Sequence, residues 1–203
     1  MKRSLGGLAL LLVFLAGALP GRAAEPVTSL PRDNGVAILA GIFSSDVFSD
    51  IVLSPWDTRT ESIYLLSGSY NRRLTTVLNH LDIEVEAGVG RRFGDNNSAE
   101  AYAALGLRWR EFPWNDYLRT SFAVYPIGPS YVANLSASEV SKDKDGRSSN
   151  WLNFFSIELT FAAPSMPQLE AVFRLHHRSG VFGLINGSTN GADFLSVGAR
   201  YRF

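Results

Sequence analysis

The chain has 203 residues, 46% hydrophobic, 12% aromatic and 19% charged, with 19 Lys plus Arg balanced by 19 Asp plus Glu and no cysteine. That length suffices for one domain with a core, and a mean hydropathy near zero at zero net charge excludes a disordered tail. The charge balance gives no basis for a nucleic-acid partner, and the absence of Cys excludes disulfides, Cys-ligated zinc and a thiol nucleophile.

Lys2 and Arg3 precede the apolar run 5–19, and Pro20 and Gly21-Arg22-Ala23 follow it. Positive residues, an apolar stretch and small residues at −3 and −1 are the pattern of a secretory signal peptide cleaved after Ala23. This divides the chain into a signal peptide, 1–23, and one domain, 24–203. A membrane anchor is the alternative reading, but the run is shorter than the roughly 20 residues a spanning helix needs. Cleavage removes Lys2, Arg3 and Arg22 and no acid, leaving 16 cations with 19 acids, net −3. No later stretch reaches spanning-helix length, so a membrane role falls to strands.

Alternation predicts eight strands, at roughly 35–46, 62–72, 81–93, 100–110, 119–137, 151–162, 168–178 and 193–203. Three alternate clearly. In 81–93, Leu81, Ile83, Val85, Ala87 and Val89 face away from Asp82, Glu84, Glu86, Gly88 and Gly90. In 100–110, Ala101 to Trp109 oppose Tyr102, Ala104, Gly106, Arg108 and Arg110; in 193–203, Leu195, Val197, Ala199, Tyr201 and Phe203 oppose Ser196, Gly198, Arg200 and Arg202. Each is about ten residues, the length of a tilted membrane-spanning strand. A soluble sandwich would alternate too. Charges of both signs on the polar faces, able to pair across a narrow lumen, favour a barrel.

Pro126 and Pro129 mark a bulge or break in 119–137, which is kept as one kinked strand. The expected fold is all-β, an eight-stranded antiparallel transmembrane barrel of the bacterial outer membrane. Connections 73–80, 111–118 and 163–167 would then be periplasmic, and 47–61, 94–99, 138–150 and 179–192 would lie outside. Trp109, Trp114, Trp151, Tyr117 and Tyr201 read as interfacial girdle residues. The final Tyr201-Arg202-Phe203 resembles the C-terminal strand signature of bacterial outer-membrane proteins.

The candidate chemistry lies near the C-terminus. Leu169, Ala171, Phe173, Leu175, His177 and Ser179 share one parity, and Asp193 continues the apolar face of the neighbouring last strand. His177, Ser179 and Asp193 can therefore meet at one rim, facing lipid. A Ser nucleophile, an imidazole base and a carboxylate that orients the imidazole make an acyl-transfer set. Polar groups on a lipid-facing wall are costly except near the interface, where they would meet a lipid ester. Wet-rim residues without catalytic role are the bland alternative. His176 has lumen parity, and His80 stands alone at a turn. Asp82, Glu84 and Glu86 share a face that can hold a cation or, as expected here, pair with arginines.

The segment HHRSGVFGLINGSTNGADFLSVGARYRF resembles the outer-membrane lipid A 3-O-deacylases, the PagL type. His177 and Ser179 match that family's H-x-S residues, and Gly191-Ala192-Asp193 falls on its carboxylate if the loop is two residues longer. Gly128-Pro129-Ser130-Tyr131 and Leu152-Asn153-Phe154-Phe155 are similar to relatives much less specifically. The resemblance implies an eight-stranded barrel hydrolysing an ester-linked acyl chain of lipid A, the lipid of outer-leaflet lipopolysaccharide. It also implies Ser179 as nucleophile, His177 as base and Asp193 as its orienter, with no metal or cofactor in the scheme. Two residues depart: Gly180 replaces the usual Asn, leaving a backbone N–H for an oxyanion hole, and Asp193 replaces the usual Glu, one methylene longer. Arg178, Lys142, Lys144 and Arg147 are expected near lipid A phosphates on charge alone. A non-catalytic barrel, structural or adhesive, is the alternative, and a periplasmic ligand-binding barrel is a third; a homodimer stays open.

Overall fold

A computed structural model describes residues 32–141, 147–188 and 191–203. The expected signal peptide, 1–23, lies outside the described residues. The strands are β1 (Asn34–Ser44), β2 (Thr60–Val77), β3 (Leu81–Gly94), β4 (Ser98–Trp109), β5 (Arg119–Ile127), β6 (Pro129–Val132), β7 (Trp151–Ala162), β8 (Leu169–Ser179) and β9 (Gly191–Arg202). Each pairs antiparallel with its neighbours, and β1 pairs with β9, so the sheet closes without an edge. β5 and β6 share one place in the wall, both lying between β4 and β7. The result is a closed eight-stranded antiparallel barrel.

The kink expected in the fifth strand is a break at Gly128. Leu105 and Leu107 of β4 lie opposite Ile127 and Val124, so the ladder slips where Pro126 withholds a donor. A side chain at Gly128 would run into the Ala103 carbonyl. The Asn153 side chain bridges the break, its Oδ1 accepting from Gly128 N–H at 3.1 Å and its Nδ2 donating to the Pro126 carbonyl at 3.2 Å. The strand ends at Val132, short of the expected 137, because the chain then turns into a helix, α2 (Ala137–Ser141). β2 runs on to Val77, past the expected 72, because Thr75, Thr76 and Val77 go on pairing with Ile83, Asp82 and Leu81.

One end of the barrel carries both ends of the wall, Gly35 lying opposite Arg202, and the connections 78–80, 110–118 and 163–168. The other end carries 45–59, 95–97, 133–150 and 180–190. The first of these forms a helix, α1 (Phe48–Leu53), and a 3-10 turn, Pro55–Asp57. Its neck is tied by Ser45 N–H to the Arg59 carbonyl (3.2 Å) and by the Asp46 carboxylate, which accepts from the backbone N–H and Nε of Arg59.

The lumen is filled by ion pairs. Glu158 accepts from Arg108, Arg174 and Arg200, at 2.7, 2.5 and 2.6 Å. Arg108 and Arg202 also reach Glu84, Arg174 reaches Glu86, and Arg202 reaches Glu170. Asp82, Glu84 and Glu86 thus take arginine partners, Arg110 meeting the first two. Taking such charges out of water costs several kcal/mol per ion, so mutual pairing with every acid bridged to guanidinium is what makes the filling tolerable. Outward residues of the wall, among them Ile38, Leu66, Val89, Phe173 and Val197, are exposed. Trp109, Trp114, Tyr117 and Tyr201 are exposed at the short-turn end and Trp151 at the other, the two-sided placement expected of a girdle.

Candidate active site on the outer wall

β8 presents two faces in alternation. Glu170, Val172, Arg174, His176 and Arg178 point to the lumen and are buried, whereas Phe173 is half exposed on the opposite face with His177 and Ser179. Register then fixes the neighbours. His177 lies opposite Asp193 of β9 and Phe155 of β7, and Ser179 lies opposite Gly191 and Asn153. Directly opposed residues have Cβ atoms about 5 Å apart. A carboxylate as short as that of Asp193 therefore reaches: His177 Nδ1 and Asp193 Oδ1 are 2.6 Å apart. A carboxylate only accepts, so Nδ1 carries the proton and Nε2 is the ring's basic nitrogen. Ser179 is two residues along the same face, about 6.8 Å down the strand. Among the described residues no hydrogen bond joins its hydroxyl to the imidazole.

The face is not bare. α1 comes down on it, and the Phe48 ring lies 4.8 Å from the His177 ring and 5.3 Å from that of Phe155, while Phe155 meets His177 edge-on at 6.0 Å. The His177 side chain is consequently 16% exposed and that of Asp193 4%. The expectation of a fully lipid-facing trio is modified: the residues point outward, beneath a roof that strand periodicity did not announce. Phe155 lay within the singled-out Leu152-Asn153-Phe154-Phe155 stretch. Phe48 carried no signal, because nothing in an alternating pattern says where a loop folds back.

Gly180 begins the turn after β8. Its carbonyl accepts from the N–H groups of Gly183 (3.1 Å) and Ile185 (3.0 Å), and a side chain on it would strike the Ser188 carbonyl. That crowding explains the glycine at this position. Val181, Phe182 and Asn186 follow with positive φ. Asn186 ties this turn to the neighbouring loop, its Nδ2 donating to Ser149 Oγ and the Trp151 carbonyl, both at 3.0 Å. Arg147 is exposed there beside Gly187.

Arg178 corrects the charge-based expectation. It is buried in the lumen mouth, donating to Glu139 of α2 at 2.7 Å and to the Asn150 carbonyl at 2.8 Å, and so does not face lipid phosphates. Its parity, shared with His176, was the signal. Lys142 and Lys144 lie outside the described residues. His176 occupies the lumen as expected, its Nε2 2.6 Å from Glu100. His80 sits 3.6 Å from Glu111 and against the Trp109 ring. Among the described residues no cluster of His, Asp and Glu has the arrangement of a metal site.

No family model and no curated protein matches the sequence. Solved structures do. The outer membrane enzyme PagL is 12% identical, with a TM-score of 0.54 over 83% of this chain and 99% of its own. Neisserial surface protein A is 11% identical, with a TM-score of 0.48 over 85% and 97%, and Ail of Yersinia pestis is 15% identical, with a TM-score of 0.40 over 84% and 99%. At such identity the likeness to PagL is one of fold. The chain has the closed eight-stranded antiparallel barrel fold of outer-membrane proteins.

Proposed function

We propose that the protein is an outer-membrane esterase that hydrolyses an ester-linked acyl chain of lipid A, with Ser179 as nucleophile, His177 as general base and Asp193 orienting the imidazole. The single observation that carries this reading is the 2.6 Å His177–Asp193 pair on the outward face beside Ser179, at the barrel end with the long loops. In an outer membrane that end faces outward, so the groups stand where acyl esters of the outer leaflet lie. Residues 1–23 are the secretory signal that delivers the chain there.

Nε2 takes the Ser179 proton as Oγ attacks the ester carbonyl, then returns it to the departing alkoxide; water, deprotonated by the same nitrogen, releases the fatty acid. The Asp193 carboxylate stabilises the imidazolium formed in between. The Gly180 N–H, next to Ser179 at the end of β8, would serve as a main-chain donor for an oxyanion. Exposed Arg147, with Lys142 and Lys144, offers charge to lipid A phosphates. The scheme uses no metal or cofactor.

Mass spectrometry of lipid A from cells expressing wild type or Ser179→Ala tests the reading. Wild type should remove one acyl chain and the variant none. If wild type removes no chain, or both remove it equally, the protein is a non-catalytic barrel of structural or adhesive role.

A further inference from the structure

The His177 ring is held from three sides, and none of them is the strand that carries it. Asp193 fixes Nδ1, Phe155 meets the ring edge-on, and Phe48 covers it at an interplanar angle of 54°. Phe48 comes from a different part of the chain, on a short helix whose Ile51 is buried and whose Val52 and Leu53, with Val47 before it and Trp56 beyond it, are exposed. The neck bonds of Arg59 to Ser45 and Asp46 hold that helix at a fixed place on the wall. An imidazole at an aqueous rim would exchange its Nδ1–H contact with water and turn about its side-chain torsions. Beneath an aromatic roof the hydrogen bond to a carboxylate is strengthened by the loss of competing water, and the ring has one orientation.

We infer that Phe48 is a positioning residue that acts through His177, locking its imidazole in the Nδ1-protonated form against Asp193 so that Nε2 stays basic and directed outward. Its effect on turnover rests on the esterase reading; its effect on the imidazole does not.

The experiment is imidazole nitrogen NMR on the refolded full barrel in detergent micelles, alongside turnover of a lipid A ester. Wild-type His177, assigned by loss of its signals in His177→Gln, should show one fixed tautomer with a bonded Nδ1–H. Phe48→Ala should give exchange-averaged nitrogens, and Phe48→Trp should restore the fixed form. Turnover should fall about tenfold or more in kcat for Phe48→Ala with KM within threefold, and recover in Phe48→Trp. Heat-modifiable gel mobility shows that each variant has formed the barrel. An unchanged imidazole pattern in a folded Phe48→Ala overturns the inference, as does a change confined to KM. A wild type that hydrolyses nothing overturns the esterase reading instead, and the nitrogen pattern then decides the positional role alone.

Discussion

His176 and His177 are joined by one peptide bond, and each has a ring nitrogen 2.6 Å from a carboxylate, yet they sit in different worlds. His176 is sealed in the lumen against Tyr102, Phe154 and Phe194, with Glu100 also bonded to Arg92. Ser156 lies across the register from it on the same sealed face, so a hydroxyl is at hand there but no lipid reaches it. His177 is partly open on the outer wall, with Ser179 on its own face and a carboxylate across the register. A histidine–carboxylate pair is therefore no mark of catalysis by itself. What separates the two is which side of a closed wall the pleat assigns them to, and what a substrate can reach from that side.

The sharpest break of this comparison exchanges each imidazole separately. His177→Ala should lower acyl-ester turnover about a thousandfold or more, the scale on which loss of a triad member acts. His176→Ala should leave turnover within a fewfold while lowering the temperature at which the folded gel band is lost. Equal losses from the two would show that the outer face has no special chemistry.

The lumen side can be broken at its hub. Glu158 bridges Arg108, Arg174 and Arg200. Glu158→Gln leaves three buried guanidiniums short of one negative charge, an imbalance on the scale of about 3–5 kcal/mol. The heat-modifiability transition should drop steeply, and turnover measured well below that transition should change little. A larger effect on turnover than on stability would join the lumen to the site.

How much of this was legible follows from what alternation can carry. The three strongly alternating segments, 81–93, 100–110 and 193–203, end within about two residues of β3, β4 and β9. That His177 and Asp193 share one face of neighbouring strands was also legible from parity and adjacency, whereas the register that sets them directly opposite was not, since it depends on how the loop between them closes. Phe48 and Glu139 were not singled out at all and Arg178 was misplaced, for distinct reasons. Phe48 and Glu139 lie on short helices within loops, whose landing points depend on tertiary contacts rather than on a local period. Arg178 was judged by its charge when its parity already placed it inside. Asn153 stood in a stretch noted for its resemblance, but its work of bridging the Gly128 break depends on Pro126 of another strand.

A smaller effect sharpens the outer face itself. The shorter carboxylate of Asp193 reaches Nδ1 because β8 and β9 pair these residues directly. Asp193→Glu adds a methylene at a side chain with little free space, so the carboxylate must fold back or push the ring toward Phe48. Turnover should fall about tenfold, the scale on which one misplaced methylene acts in a fitted site, while Asp193→Asn should fall much further because its amide no longer demands the Nδ1–H tautomer.

The smallest effect concerns Arg147, exposed beside Gly187 on the loop that Asn186 ties to the site's turn. A single exposed guanidinium meeting a phosphate in water contributes on the order of 1 kcal/mol or less. Arg147→Ala should therefore raise KM for a phosphorylated lipid A ester about two- to fivefold at low salt, leave kcat alone, and lose its effect at high salt, where such contacts are screened. A neutral ester measured in parallel should be indifferent to the change. If KM rises equally for the neutral ester, the residue shapes the loop rather than meeting phosphate, and the cationic contribution to recognition falls to the residues 142–146.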